Sequence, residues 1–391
     1  MFSRRVPGNL TPNRLTGALE EFRRQGRTFI DLTLSNPTLA SFDYPPHLLQ
    51  ALAAPSAHVY QPEPRGLRSA RDAVAMDYSR RRIHVSPERV VLTASTSEAY
   101  SLLFKVFCDP GDEVLVPRPS YPLFEHLTRL DAVVTRPYEL EYHGRWSADI
   151  ARIERAVTDR SRALLMVSPN NPTGSYVRQD ELEAIAALCR TTGMALIVDE
   201  VFAEYELTPG AIANSANVLE RDEVLVCSLG GLSKSAGLPH VKLGWMALTG
   251  PADLVETALD RIDFAADAYL SVSTPVQHAA AALIAGGALV RAQIQERILD
   301  NLDQLRTRVG QTPSCRVLPA EGGWSAVVQV PTLMPEEELV LGLLMEDGVL
   351  VHPGYFFDFA TESFLVVSLL PGPPLFLEGV SRVLDRFDRA G

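Results

Sequence analysis

Lysine is almost missing from this chain. Of its 36 basic residues only Lys105, Lys234 and Lys242 are lysine, and the rest are arginine. Arginine stays protonated inside proteins, whereas burial can strip a lysine of its proton and leave a nucleophile or a base. A chain that otherwise meets its need for positive charge with arginine therefore marks Lys234 as a place where a primary amine is wanted. Cysteine is scarce as well. The four present (Cys108, Cys189, Cys227, Cys315) are scattered and show no metal-ligand spacing. This predicts reduced thiols in a cytoplasmic protein, not a disulfide scaffold or a zinc site. No apolar run of signal-peptide length follows Met-Phe-Ser-Arg-Arg-Val-Pro at the start, and no run of about 18 apolar residues occurs anywhere, so neither export nor a membrane span is expected. Long runs of like charge are missing too, and the net charge is −12. That argues against nucleic acid and anionic membranes as partners, while small anionic ligands remain compatible with a locally positive site.

What is present reads as a globular enzyme of 391 residues, too long for one simple core. From residue 90 onward, short apolar runs alternate with helical patterns. Val90–Ala94, Glu113–Pro117, Ala163–Val167, Ala195–Val198, Val224–Cys227 and Trp245–Leu248 read as strands. Ser97–Cys108, Tyr121–Asp131 and Asp180–Thr191 read as helices. Uninterrupted apolar strands alternating with helices predict an α/β fold with a mostly parallel sheet covered on both faces. A long helix is expected over Thr274–Val309, with a possible kink at Gly286-Gly287. After it the pattern becomes α+β: strands within Val317–Pro331 and Phe364–Leu370, helices over Pro335–Asp347 and Leu375–Arg389. A helix over Pro12–Arg24 is expected to join this second lobe. The expected division is an N-terminal segment 1–45 packing with the small domain, a large domain 46–285 and a small C-terminal domain 286–391.

In parallel sheets ligands sit at the carboxyl ends of strands, so the residues that follow each strand carry the functional reading. Ser95-Thr96-Ser97 follows the first strand and opens a helix, whose free backbone N–H groups suit a phosphate as well as a plain cap. Tyr121 follows the second. Ser168-Pro-Asn-Asn-Pro-Thr-Gly174, a dense turn signal, follows the third. Asp199-Glu200 follows the fourth, and a carboxylate directly behind four apolar residues needs a cap or a cation as partner. Ser228-Leu-Gly-Gly-Leu-Ser-Lys234 follows the fifth.

Each signal is weak alone; their order on successive strands is not. Ser-Pro-Asn-Asn-Pro-Thr-Gly, then Val-Asp-Glu-Val-Phe, then Leu-Ser-Lys-Ser-Ala-Gly-Leu-Pro resembles the fold-type-I aminotransferases of class I/II. Tyr60, Gly66, Arg71 and Asp109-Pro-Gly-Asp-Glu-Val-Leu-Val116 fit the same pattern, which extends from about residue 30 to the end. The resemblance implies a seven-stranded, mostly parallel sheet in a large domain that binds pyridoxal 5′-phosphate (PLP), and a ping-pong transfer of an amino group between an amino compound and a keto acid. Lys234 would hold PLP as a Schiff base and, once displaced by substrate, shuttle the proton from Cα. Asp199 would pair with the pyridine nitrogen. Asn171 would donate to the phenolic oxygen and Tyr121 would stack on the ring. Ser95, Thr96, Ser97, Ser233 and Lys242 would cradle the phosphate. Tyr60 would reach it from the second subunit of a homodimer, and Trp324 would line the substrate pocket. No metal is implied.

Three departures from the family pattern bear on substrate. Phe202 stands where many relatives carry a tyrosine, and Gly231 where a phosphate-binding serine is common. The largest departure is Val366, in Phe364-Leu-Val-Val-Ser-Leu-Leu370, at the place of the arginine that clamps the substrate carboxylate. Neither Arg nor Lys occurs between Arg316 and Arg382, so no shift of alignment supplies one. A bidentate arginine–carboxylate pair is a strong and specific contact. Three accounts follow. Asn36, Arg65 (from this chain or across the dimer), His352 or backbone amides hold the carboxylate instead. The substrate lacks a free carboxylate. Or the reaction is a decarboxylation, elimination or racemisation.

Overall fold

The structure is a computed structural model and describes residues 2–389. Its first strand, β1 (Ile30–Asp31), belongs to the smaller lobe. The larger lobe is built on eight strands: β2 (Val90–Thr93), β3 (Glu113–Arg118), β4 (Val134–Tyr142), β5 (Trp146–Ala148), β6 (Ser161–Val167), β7 (Ala195–Asp199), β8 (Val226–Gly231) and β9 (Gly244–Thr249), in the spatial order β2-β9-β8-β7-β6-β3-β4-β5. β8, β7, β6, β3 and β4 are parallel neighbours, and β9 runs antiparallel between β2 and β8. The expected seven-stranded, mostly parallel sheet is therefore present, extended by the short antiparallel β5 on β4.

The alternation along β6 and β7 explains why both faces are covered. Leu164, Met166, Leu196 and Val198 enter one core, while Ala163, Leu165, Val167, Ala195 and Ile197 enter the other. Successive side chains of a strand point to opposite faces, so a continuous apolar run needs a layer of helices on each side. The helices Arg68–Arg80 and Gln179–Thr192 cover the first face through Ala70, Val74, Leu182 and Ile185. The helices Thr96–Phe107 and Ala252–Asp267 cover the second through Leu103, Phe104, Leu259 and Ile262.

In the smaller lobe β10 (Arg316–Val317), β11 (Ser325–Gln329), β14 (Phe364–Ser368) and β13 (His352–Pro353) form an antiparallel sheet in that order, and β12 (Val349–Leu350) pairs in parallel with β1. Helices Arg14–Arg24, Glu336–Met345 and Pro373–Asp388 pack on it, and Leu15, Phe22, Leu343 and Phe376 meet in one core.

One helix, Thr274–Val309, serves both lobes. Its 36 residues span about 54 Å. Val276, Ala280 and Leu283 lie in the core of the large lobe; Val290, Ile294, Ile298, Leu302, Leu305 and Val309 continue the stripe into that of the small lobe. The helix runs without interruption through residue 286. Gly286 and Gly287 serve close approach here: a Cβ on Gly287 would lie 2.3 Å from Cβ of Ala236, and one on Gly286 2.5 Å from Cδ1 of Leu48. No helix of the described residues is long and apolar enough to cross a membrane.

Candidate active site

A cavity of about 450 Å³ opens at the carboxyl ends of the parallel strands, where the small-lobe sheet faces the large one. Lys234 enters it from a single turn of helix, Leu232–Ser235, directly after β8. Local contacts fix that turn. The Leu232 N–H donates to the Leu243 carbonyl at 2.9 Å, and the Tyr205 hydroxyl donates to the Lys234 carbonyl at 2.6 Å. Arg291 of the long helix donates to the Ser235 carbonyl at 3.0 Å, and the Tyr44 hydroxyl to that of Gly237 at 2.7 Å. The glycines before the turn also have a reason. A Cβ on Gly231 would sit 3.1 Å from Cα of Gly244 on β9, so the serine common in relatives would press on the neighbouring strand.

The Lys234 amine lies 5.0 Å from the centre of the Trp324 ring and 5.6 Å from that of Phe202. Burial lowers its pKa from the ordinary lysine value, and the charge of Asp199 pulls it part of the way back. Asp199, the last residue of β7, is buried, and burial pushes its carboxyl pKa upward. Two donors oppose that shift: the Tyr100 hydroxyl at 2.7 Å and the Val201 N–H at 3.1 Å. Tyr100 was not anticipated. It sits in the middle of the helix Thr96–Phe107 among apolar residues, and its burial raises its own pKa far above the usual value, so it stays a donor.

Ser95 caps this helix, its side chain accepting from the Glu98 N–H at 3.2 Å, and the Ala99 N–H bonds to the Ser95 carbonyl. The N–H groups of Thr96 and Ser97 have no hydrogen bond among the described residues, and both residues line the cavity. Ser233 and Lys242 line the same cavity, so unspent backbone donors, a hydroxyl and a cationic side chain border one space. Asn171 and Tyr121 line it too. Asn170 does not: its amide is spent on Ser120, Pro119 and Thr173, holding the turn after β6.

A buried amine, a buried carboxylate, a side-chain amide, an aromatic ring and a phosphate-sized set of donors are what PLP requires, so the residues present fit that group. Trp324, His352 and Val366 are also in the cavity, with Thr33, Ser35, Ser325, Phe356 and Phe357, which were not anticipated.

Two expected substrate residues are not brought there. Arg65 is gripped by Asp263, with its Nε 2.7 Å from Oδ1 and Nη2 2.7 Å from Oδ2, and it also donates to the Glu88 carbonyl. Asn36 turns its amide oxygen onto the Thr38 N–H and hydroxyl, the ordinary use of an asparagine before Pro37. Tyr60 is 69% exposed and borders a different depression with Gln61 and Tyr269, so within one chain it does not reach the cavity. Lys105, the third lysine, bonds Ser101 and Asp131 on the surface.

Comparison with known proteins agrees with this geometry. Residues 27–373 match the family model described as aminotransferase class I and II. The chain is 28% identical over 362 residues to an alanine aminotransferase of Mycobacterium tuberculosis, covering 89% of this chain and 82% of the relative. It is 26% identical to the glutamate-pyruvate aminotransferase of Haemophilus influenzae, over 93% of this chain and 91% of that one. Among solved structures, the alanine aminotransferase from Pyrococcus furiosus matches with a TM-score of 0.90 at 25% identity, over 100% of both chains. A single mutant of Thermus thermophilus aspartate aminotransferase matches with a TM-score of 0.82 at 25% identity, over 98% of this chain and 99% of that one.

Proposed function

This chain belongs to the aminotransferase class I and II family, and we propose that it uses PLP to exchange an amino group between a small α-amino acid, of the alanine or glutamate type, and the corresponding keto acid. It is an aminotransferase by family and by its relatives. The other reaction classes, and the substrate without a carboxylate, that Val366 left open in the sequence are accordingly not adopted. Relatives that align over most of the chain are alanine and glutamate-pyruvate aminotransferases, which supports alanine and glutamate as the amino acids.

The observation that carries the reading is the pairing of a buried, pKa-lowered amine with a buried carboxylate in one cavity, at the strand ends where the free helix N–H groups converge. When bound, PLP supplies a carbonyl carbon that condenses with amines and a ring that draws electrons from the substrate Cα. Asp199 would hold the ring nitrogen, Asn171 the phenolic oxygen, Tyr121 one ring face, and Ser95, Thr96, Ser97, Ser233 and Lys242 the phosphate. The lowered pKa of Lys234 gives an amine that loses its proton more readily than an exposed lysine. Its Nζ would anchor the cofactor through that carbonyl carbon and, once freed by the substrate amine, would accept the substrate Cα proton and deliver it to the same cofactor carbon. The Tyr100 hydroxyl orients Asp199 and opposes the rise of its pKa. Phe202, Trp324, Phe356 and Phe357 surround the reacting centre with apolar surface that limits water.

The proposal includes a homodimer in which Tyr60 reaches the partner's phosphate site, supported by the exposure of Tyr60 on its own chain. It includes a cytoplasmic location, supported by four cysteines that are all free. The purified protein is expected to carry a visible band that borohydride fixes covalently in wild type and not in Lys234→Ala. Alanine or glutamate should convert that band and release the keto acid in a single turnover. A wild-type protein with no reducible band, or one unchanged by every α-amino acid, would refute the reading.

A further inference from the structure

The substrate end of the cavity poses a charge problem. Among the described residues that line it, the only side chains able to carry positive charge are Lys234, Lys242 and His352. On the proposed function Lys242 serves the phosphate and Lys234 is the reacting amine. Val366 is buried and contributes only methyl groups. An unpaired carboxylate in such a place is costly. The small-lobe sheet offers one answer. His352 on β13 is the direct partner of Val366 on antiparallel β14. Directly opposed residues of an antiparallel pair put their side chains on the same face, roughly 5 Å apart at Cβ. The imidazole therefore stands beside the position from which a clamp would act, one strand over.

Two further observations agree. Neither ring nitrogen of His352 has a hydrogen-bond partner among the described residues, although the ring is packed at 5.9 and 5.7 Å from the rings of Phe356 and Phe357. The Trp324 indole N–H, buried in the wall of the same cavity, is also without a partner. Ser368 is not available, since its hydroxyl is spent on the Leu34 carbonyl.

On the reading that this is an α-amino acid aminotransferase, we propose that His352, with the Trp324 indole N–H as a second donor, receives the substrate carboxylate in place of an arginine. The clamp is then titratable. Burial lowers the His352 pKa below its ordinary value, and the charge of Asp31 on β1 pulls it upward. The other titratable groups on elements packed against it are Glu336, whose carboxylate accepts the backbone N–H groups of Tyr355 and Phe364, Glu337 and Glu338 of the same helix, which pair with Arg14, and the Tyr355 phenol. β14 brings none, while Lys234, Lys242 and Asp199 share the cavity. Burial disfavours the imidazolium in the free enzyme, so carboxylate binding takes up a proton. Affinity falls as pH rises above the pKa of free His352, a dependence that a fixed arginine lacks.

The test uses the PLP-loaded enzyme and propionate, an unreactive analogue of alanine, by calorimetry at pH 7.5 in two buffers of different ionisation enthalpy. Wild type is expected to take up close to one proton per propionate bound, and to bind propionamide without uptake. His352→Gln should weaken propionate by about tenfold or more and abolish the uptake, as expected for loss of a hydrogen bond to a charged group. It should also raise the alanine KM more than it lowers kcat. Val366→Arg added to His352→Gln should restore binding with no proton uptake. Propionate bound without proton uptake in wild type, no detectable propionate binding, or a His352→Gln enzyme with unchanged affinity would each overturn the proposal. A protein that shows the coupled proton but converts no amino acid would instead overturn the proposed reaction and leave the carboxylate subsite standing.

Discussion

Lys234 and Asp199 stand out in the sequence because each breaks a local rule: a lysine among arginines, and a carboxylate at the end of an apolar strand. Their partners do not stand out. Tyr100 sits mid-helix among Ala99, Leu102 and Leu103 and reads as core; only the fold turns its hydroxyl onto Asp199. Arg65 reads as a free cation in the sequence, and only the fold pairs it with Asp263 of the helix Ala252–Asp267. Two outcomes follow at this scale. In Tyr100→Phe, Asp199 loses a contact that lowers its pKa, so its pKa rises further and the acid limb of the rate profile moves to higher pH. A charge-assisted hydrogen bond of about 1.5–3 kcal/mol predicts a loss in kcat/KM on the order of tenfold or more. If the profile of this variant overlays wild type, the bond does not matter. For Lys234 the sign is the reverse. Burial lowers its pKa, so the rate at which PLP-free protein takes up the cofactor should rise with pH and level off below 10.5, the value of an exposed lysine. A plateau at 10.5 would mean that the amine is not desolvated.

At the level of elements, most strongly apolar strands and the long helices are readable from the sequence within a residue or two, while β8, expected over Val224–Cys227, runs on through the glycines to Gly231. What escapes are the helices Arg68–Arg80 and Ala252–Asp267, in which alanine supplies much of the buried face and weakens the apolar period, and β4, most of whose residues are only half buried. The glycine pair in Thr274–Val309 can be found in the sequence, but its purpose cannot, because its neighbours Ala236 and Leu48 come from other parts of the chain. Gly287→Ala puts two magnitudes in opposition. Alanine in a helix interior is favoured by about 1 kcal/mol. A methyl group forced to 2.3 Å from Ala236 costs about 1–3 kcal/mol. The overpacking should win, giving a lower denaturation midpoint and, because Ala236 follows the Lys234 turn, faster loss of PLP on dialysis. A more stable variant would show that the turn yields freely.

At the scale of the whole molecule, the sequence conveys a two-lobed α/β architecture with the site at the strand ends. It does not convey whether a single chain completes that site. On the proposed function a single chain does not, because Tyr60, exposed and outside the cavity of its own chain, serves the site of a second subunit. Sedimentation should therefore show a dimer, and Tyr60→Ala should bind PLP more weakly while remaining folded. A fully active monomer would contradict this. The long helix has a consequence of another kind. The segment that carries Arg291, which holds the Ser235 carbonyl, also supplies the stripe Val290 to Val309 to the small-lobe core. Neither lobe can melt without unwinding a rod that the other needs. Heating should thus give one transition, with tryptophan fluorescence and far-ultraviolet ellipticity lost together, and a ligand seated in the cleft should raise the melting temperature of the entire chain instead of protecting one half of it.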